Sequence, residues 1–252
     1  RAATVEDVRD ALGVITQGVT TSSARQYTLR VKSLLSYAHK LGYTVFNAGV
    51  AVRAPKEGRA LAKRIVGELD VRDLIRSGKG RDWLIVALLY ASGIRVSELV
   101  SLNVSDVIKR SDGNMQLHVV GKGGKEREVL LAPSFTDPLA AVCEGRPPEQ
   151  PLFLSYSRRR HHLRTDAGRL TTRAVNHLIK RLGRRAKVTS KLSPHWLRHA
   201  HASHAIDHGA SLPVVAATLG HASIATTSVY LHAKPNASSS ANLNPDIWKQ
   251  KP

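Results

Sequence analysis

The sequence predicts a mainly α-helical protein with one small three-stranded antiparallel sheet, an α+β arrangement of a short helical N-terminal domain and a larger second domain. Three observations predict it. Apolar residues recur at helical spacing on both sides of the chain's middle, at Tyr27, Val31, Leu34, Leu35 and Ala38 and again at Val175, Leu178, Ile179 and Leu182. Between 106 and 131 the period changes to two, with Met115, Leu117 and Val119 alternating against Gln116, His118 and Val120. Between 54 and 64 the composition turns to Ala, Pro, Gly and charge without any apolar period, the mark of a linker. The expected limits are therefore 1–53, a linker over 54–64, a second domain over 65–232 and a tail over 233–252.

In chain order, residues 4–53 read as helical throughout. Thr21, Ser22 and Ser23 offer capping hydroxyls before the apolar face, and Gly42 ends that helix. Gly67 to Ile75 reads as a helix, followed by a loop at Gly78 to Gly80. Asp82 to Ser92 is apolar all round, as a helix buried at a domain centre should be, and stops at Ser92-Gly93. Ser111-Asp112-Gly113-Asn114 and Gly121-Lys122-Gly123-Gly124-Lys125 supply the turns of a meander ending at Leu131. Thr172 to Ala186 is an amphipathic helix. Ser193-Pro194 provides a hydroxyl cap and a first-turn proline for the next, which Gly209 ends. A short helix from Pro213 stops at Gly220, and Ser223 caps a last one carrying Tyr230.

Charge narrows the function. Lys and Arg number 38 against 19 Asp and Glu, a formal net charge of +19. So basic a chain suits a polyanionic partner, nucleic acid above all, although a solvated basic surface has the same composition. A single cysteine, Cys143, excludes an internal disulfide and a Cys-rich zinc site. The longest apolar run, Trp83 to Ala91, is too short to cross a bilayer, and no signal peptide precedes it. Residue 1 is arginine rather than methionine, from which upstream sequence is expected.

The polar residues assemble into a chemistry. Arg95 stands among Ile94, Val96, Leu99 and Val100, company an arginine keeps only with an anionic partner. Glu98, Asp106 and a bound phosphate are the open alternatives. Lys122 sits at a glycine-rich hairpin mouth that lacks the Ser/Thr and helix of a P-loop. His195 and Arg198 lie three apart near a helix N-terminus, where an anion is favoured. His199, His201, His204 and His208 follow, yet no acidic residue falls within 195–204 and no HExxH pattern exists, so no metal is assigned. Two guanidiniums suit the oxygens of a phosphodiester transition state. A tyrosine nucleophile with its reference pKa near about 10 needs cations and a base, and a departing sugar oxygen needs a proton. Arg95, Arg198, Lys122, His195, His221 and Tyr230 supply each part.

Four segments in order, Ala91-Ser92-Gly93-Ile94-Arg95-Val96-Ser97-Glu98-Leu99, Gly121 to Arg127, His195-Trp196-Leu197-Arg198-His199, and Leu219-Gly220-His221-Ala222-Ser223 through Thr226-Thr227 to Tyr230, resemble the tyrosine recombinase (phage integrase) family, and the resemblance covers 65–232. It implies a site-specific DNA recombinase whose Tyr230 attacks the scissile phosphate to form a 3′-phosphotyrosyl link. Arg95 and Arg198 would clamp the phosphate, Lys122 would protonate the leaving oxygen, His195 would act as general acid/base and His221 would hydrogen-bond the phosphate. Glu98 would support the fold around Arg95. No cofactor or metal is implied. The implied partners are double-stranded DNA and a homotetramer on paired sites, with a second recombinase or accessory factor left open, and the implied location is the cytoplasm, on the nucleoid. Residues 1–53 would be part of a DNA-clamping core-binding domain at about half the family's length, and Leu243, Ile247 and Trp248 would dock the tail on a neighbour or on its own domain. His201 departs from the aromatic or small residue usual there. DNA contacts are expected from Arg25, Arg30 and Lys32, from linker residues Lys63 and Arg64, and from hairpin residues Lys125 and Arg127. A basic loop adds Arg158, Arg159, Arg160 and Arg164, and Arg173, Arg181, Arg184 and Arg185 flank an apolar helix face. A catalytically silent DNA-binding relative and a topoisomerase IB-like relaxing enzyme are the alternatives.

Overall fold

The computed structural model describes residues 4–56, 65–155, 168–188 and 192–233, the final three by backbone alone. The chain divides into two units, Arg1–Ala60 and Leu61–Pro252.

The first unit holds α1 (Val5–Thr16) and α2 (Thr21–Lys40). Thr4 begins α1 with a reciprocal cap: Asp7 N–H donates to its hydroxyl at 3.1 Å and its own N–H donates to Asp7 at 2.9 Å. The expectation of helix throughout 4–53 is corrected in two places. Gly18, at a left-handed φ of 72°, ends α1, and after Gly42, whose φ of 82° ends α2 as the sequence predicts, the chain runs in turns to 53 instead of resuming a helix. The cap of α2 is Thr20, accepting from Ser23 N–H at 3.3 Å, rather than one of the three hydroxyls after it. Its inward face also differs: Tyr27 and Leu34 are exposed, while Thr28 is buried and Val31 and Leu35 pack with Val8, Leu12, Ala48 and Val52. The turns after α2 are strapped back onto it, because Lys32 Nζ donates to the Val50 and Val52 carbonyls and Asn47 donates to Ser36 at 2.9 Å.

The second unit is built around α4 (Gly80–Ser92), preceded by α3 (Glu68–Ser77). Leu84 to Leu89 are all buried, as a helix without a polar face requires. Each such side chain contributes about 1.5–3 kcal/mol relative to exposure. Packed with α4 are α3 and α8 (Pro194–Asp207), and α3 also meets α7 (Thr172–Arg185). The face of α7 is the one the sequence predicts, with Val175, Leu178, Ile179 and Leu182 buried. After α5 (Val96–Ser101), β1 (Val107–Lys109), β2 (Met115–Val120) and β3 (Glu126–Leu130) form the antiparallel meander in the order β1-β2-β3. Leu117 faces Val107 on one side and Val129 on the other, so the alternating residues Met115, Leu117 and Val119 point into the core. Residues 132–155 form α6 (Thr136–Cys143) and a return segment bridged at Asn103–Pro151 and Leu154–Arg169. The chain ends in α9 (Leu212–Leu219), α10 (Ile224–Thr227) and a 3-10 turn over Ser228–Ala233.

Candidate active site

Arg95 is delivered by a sharp turn. Gly93 takes a left-handed φ of 61° after α4, Ile94 plugs the core, and Arg95 becomes the cap of α5. Of the two carboxylate alternatives for its anionic partner the structure selects Glu98, whose Oε1 accepts from Arg95 Nη1 at 2.8 Å while Oε2 accepts from Arg95 N–H at 2.8 Å. Asp106 instead caps Asn103 N–H at 2.8 Å. Glu98 is 4% exposed and serves a second guanidinium, accepting from Arg127 Nη2 at 2.8 Å and Nη1 at 3.2 Å. Burial pushes the Glu98 carboxyl up, but the hydrogen bonds from Arg127 and from Arg95 outweigh it and hold it down at about 2.

Arg198, on the second turn of α8, is only 3% exposed. Its Nη1 donates to Gly93 O at 2.6 Å and its Nη2 to Leu219 O at 2.8 Å, so one guanidinium ties the Arg95 turn to the end of α9. Burial, and then the nearby Arg95, lower it to about 10, which leaves it charged at neutral pH. Gly220 follows α9 in the left-handed region and turns the chain to His221. His221 Nδ1 lies 2.8 Å from the Thr227 hydroxyl, and burial followed by Arg198, Arg95 and Arg127 depresses the imidazole to about 4. It is therefore neutral at physiological pH.

Lys122 stands exposed on the β2–β3 turn. That turn is closed by Gly121 N–H donating to Lys125 O at 2.7 Å and kept low by Gly123 and Gly124 at φ 77° and 74°. Arg95, Lys122, Lys125 and His221 line one open cavity of about 520 Å³, with Arg127 and Gly220 in its wall. Three of the six expected catalytic residues are thus gathered around it. His195 is exposed on the first turn of α8, with its ring centroid 4.3 Å from that of His199. Tyr230 is placed elsewhere: it is 5% exposed, packs with Ala202, Val215 and Leu219, and its hydroxyl lies 2.6 Å from His199 Nδ1. Burial raises the phenol's pKa, with Arg198 opposing.

The residues expected on DNA separate into groups. Arg127 is turned inward, its Nε donating to Thr218 O at 2.8 Å and its side chain 12% exposed. Arg25 Nη1 donates to Pro55 O at 3.0 Å, and Lys32 is the strap described above. Arg30 is exposed beside Ser22, Ser23 and Gln26. Arg173, Arg184 and Arg185 are exposed on α7, and Arg181 pairs with Asp82 at 2.6 Å. Lys63, Arg64, Arg158, Arg159, Arg160, Arg164 and the tail lie outside the described residues. Among the described residues no group of three or more His, Cys, Asp or Glu is arranged to hold a metal ion.

Two participants escape the sequence reading. His199 appears there in the histidine series and at the end of the His195–His199 segment but is given no role, although its spacing of four from His195 is the signal that sets the two rings together. Arg127 reads as one more hairpin cation, and nothing local distinguishes it from Lys125.

Residues 62–237 match the phage integrase family. The tyrosine recombinase XerD of Staphylococcus epidermidis is 30% identical over 89% of this chain and 77% of its own length. The chain belongs to the phage integrase family. It is a tyrosine-type site-specific DNA recombinase. XerA of Thermococcus kodakarensis is 36% identical over 82% of the recombinase described here and 71% of its own length. The fold agrees with that of XerH bound to its difH substrate before cleavage, at a TM-score of 0.71 and 19% identity over 91% of this chain and 67% of that one. It agrees also with a lambda integrase (75–356) dimer on a COC′ core site, at 0.69 and 20% identity over 94% of this chain and 82% of that one.

Proposed function

We propose that this recombinase binds double-stranded DNA and cuts it through Tyr230, whose oxygen bonds to the scissile phosphorus as the bond to the 5′ oxygen breaks. The phenolic proton passes to His195 as base, and Lys122 gives a proton to the departing 5′ oxygen. Arg95 and Arg198 hold the non-bridging oxygens, and neutral His221 donates a hydrogen bond to one of them. The phosphotyrosyl ester keeps the energy of the original bond, so a 5′-hydroxyl from a partner strand reverses the step and exchange needs neither ATP nor a metal. The acting assembly is a homotetramer on paired sites, and Arg30, Lys125, Arg173, Arg184 and Arg185 contribute phosphate contacts that position the duplex without reading its sequence.

One observation carries this reading: Arg95, Lys122 and His221, from three separate segments, line a single cavity whose wall Arg198 braces from beneath. Tyr230 must leave its buried hydrogen bond to reach a phosphate there, which makes the Ser228–Ala233 turn the element that moves. A nicked suicide substrate traps the wild-type protein covalently on DNA, and Tyr230→Phe binds the same DNA without an adduct. An adduct that persists in Tyr230→Phe would overturn the assignment of the nucleophile.

A further inference from the structure

Arg127 is bonded unlike a phosphate contact. Its Nε and both Nη atoms each reach an acceptor inside the protein: Thr218 O at 2.8 Å, Glu98 Oε1 at 3.2 Å and Glu98 Oε2 at 2.8 Å. Its side chain is 12% exposed and that of Glu98 3%, so the pair is shielded from solvent. The planar guanidinium fork is suited to this, since it meets two carboxylate oxygens on one edge while the Nε–H points elsewhere. Gly220 is packed hard against it, because a Cβ there would lie 3.0 Å from Arg127 Nη1 and 3.1 Å from its Cζ.

The three acceptors belong to the elements that carry Arg95 and His221 to the cavity. Glu98 is on α5 and bonds the residue that caps it, Arg95. Thr218 is on the last turn of α9, three residues before His221. Arg127 itself lies on β3, five residues after Lys122, across from Val119. The Lys122 turn is short and contains two left-handed glycines, so the two strands alone would fix its height only weakly. Losing Arg127 would leave that turn without its anchor and would also release Glu98 to Arg95 alone, drawing that guanidinium away from a bound phosphate.

We propose that Arg127 is a positioning residue, which holds the hairpin bearing Lys122 at a fixed distance from the Arg95 and His221 side of the cavity. This rests on the reading of Lys122 as the donor of the leaving-group proton. Arg127 then acts on the departure of the 5′ oxygen through Lys122.

The test uses the full chain and two nicked substrates, one with a 5′-bridging oxygen and one with a 5′-bridging sulfur. A thiol ionises at about 8.5, far more readily than an alcohol, so the sulfur leaves without a proton. Wild type, Lys122→Ala and Arg127→Gln are compared for duplex binding and for single-turnover adduct formation at saturation. The expected result is that Arg127→Gln binds DNA within about threefold of wild type and forms adduct about 10²-fold more slowly on the oxygen substrate, the scale of a lost general acid. The sulfur substrate restores most of that rate, as it does for Lys122→Ala. A loss that sulfur rescues in Lys122→Ala but not in Arg127→Gln overturns the proposal, as does weaker binding with an unchanged saturated rate. Failure of sulfur to rescue Lys122→Ala places the fault in the reading of Lys122, and absence of any wild-type adduct places it in the reading of the enzyme. In either case the proposal falls with it. Should Arg127→Gln not fold, Arg127→Lys, which keeps the charge and loses the fork, enters the same comparison.

Discussion

The cation-lined cavity and the seat of Tyr230 are opposite solutions to the same electrostatic problem. Around the cavity, charges are held in place by committed partners, with Glu98 between two guanidiniums and Arg198 on two backbone carbonyls. At Tyr230 the reactive oxygen is withdrawn among Ala202, Val215 and Leu219 and hydrogen-bonded to a histidine, where burial favours the neutral phenol. In the proposed reaction the anion-binding half is assembled before any DNA arrives, and the nucleophilic half is not. Preorganised dipoles can wait for a phosphate at no further cost, whereas a preformed phenolate would have to be desolvated.

Arg198 belongs to both halves, so its loss has the largest effect. Arg198→Ala leaves the Gly93 and Leu219 carbonyls without their donor and is expected to lower stability by about 2–4 kcal/mol in urea unfolding. Adduct formation should fall by about 10³-fold, measured by single-turnover trapping. Arg198→Lys should recover stability better than rate, since an ammonium keeps the charge without spanning both carbonyls.

Glu98 probes the cavity half alone. Its folded pKa is depressed to about 2 from 4.5, so its contribution is complete above about 4.5 and drains away as pH falls through about 2. Acid unfolding of the wild type should therefore show a loss of a few kcal/mol across that window, and Glu98→Gln should flatten it while lowering stability at pH 7. An unchanged acid limb in Glu98→Gln would mean that the two arginines do not share this carboxylate in solution.

His199→Phe probes the other half. Removing the hydrogen-bond partner costs about 1 kcal/mol in stability and raises the ground state of the parked phenol, so adduct formation should quicken by about fivefold. Slower adduct formation would show that the hydrogen bond persists into the reaction. The smallest effect belongs to Arg181→Ala, which removes an exposed guanidinium from Asp82, a carboxylate that keeps its pair with Arg81, and should shift stability by less than about 1 kcal/mol. The salt dependence of DNA binding should stay unchanged, since Arg181 is committed to Asp82 rather than to phosphate.

The fold was readable where period and punctuation agreed. Glycines at 93 and 220, the alternation from 115 to 120 and the stripe on α7 each place an element and a face. Beyond Leu131 the sequence reads as helical, and that fails over 144–155, whose order comes from long-range bridges at Asn103–Pro151 and Leu154–Arg169. Tyr27 and Leu34 mislead for a related reason: helical spacing fixes which residues share a face, and the contacts of Val8 and Leu12 select which face is buried. Within the site, residue types revealed the chemistry, while the seat of Tyr230 and the inward turn of Arg127 depend on partners 31 and 29 positions away in sequence.

If the cavity takes a DNA phosphate as proposed, the depressed imidazole of His221 makes that binding a proton-linked equilibrium. Burial first, and then the guanidiniums of Arg198, Arg95 and Arg127, keep it unprotonated down to about pH 4, and a phosphate entering among them supplies the opposite field. Occupancy of the cavity then draws a proton from solution in mildly acidic buffer. The heat of binding should vary with the buffer's ionisation enthalpy below about pH 6.5, and affinity should rise as the medium is acidified toward the imidazole's own depressed value.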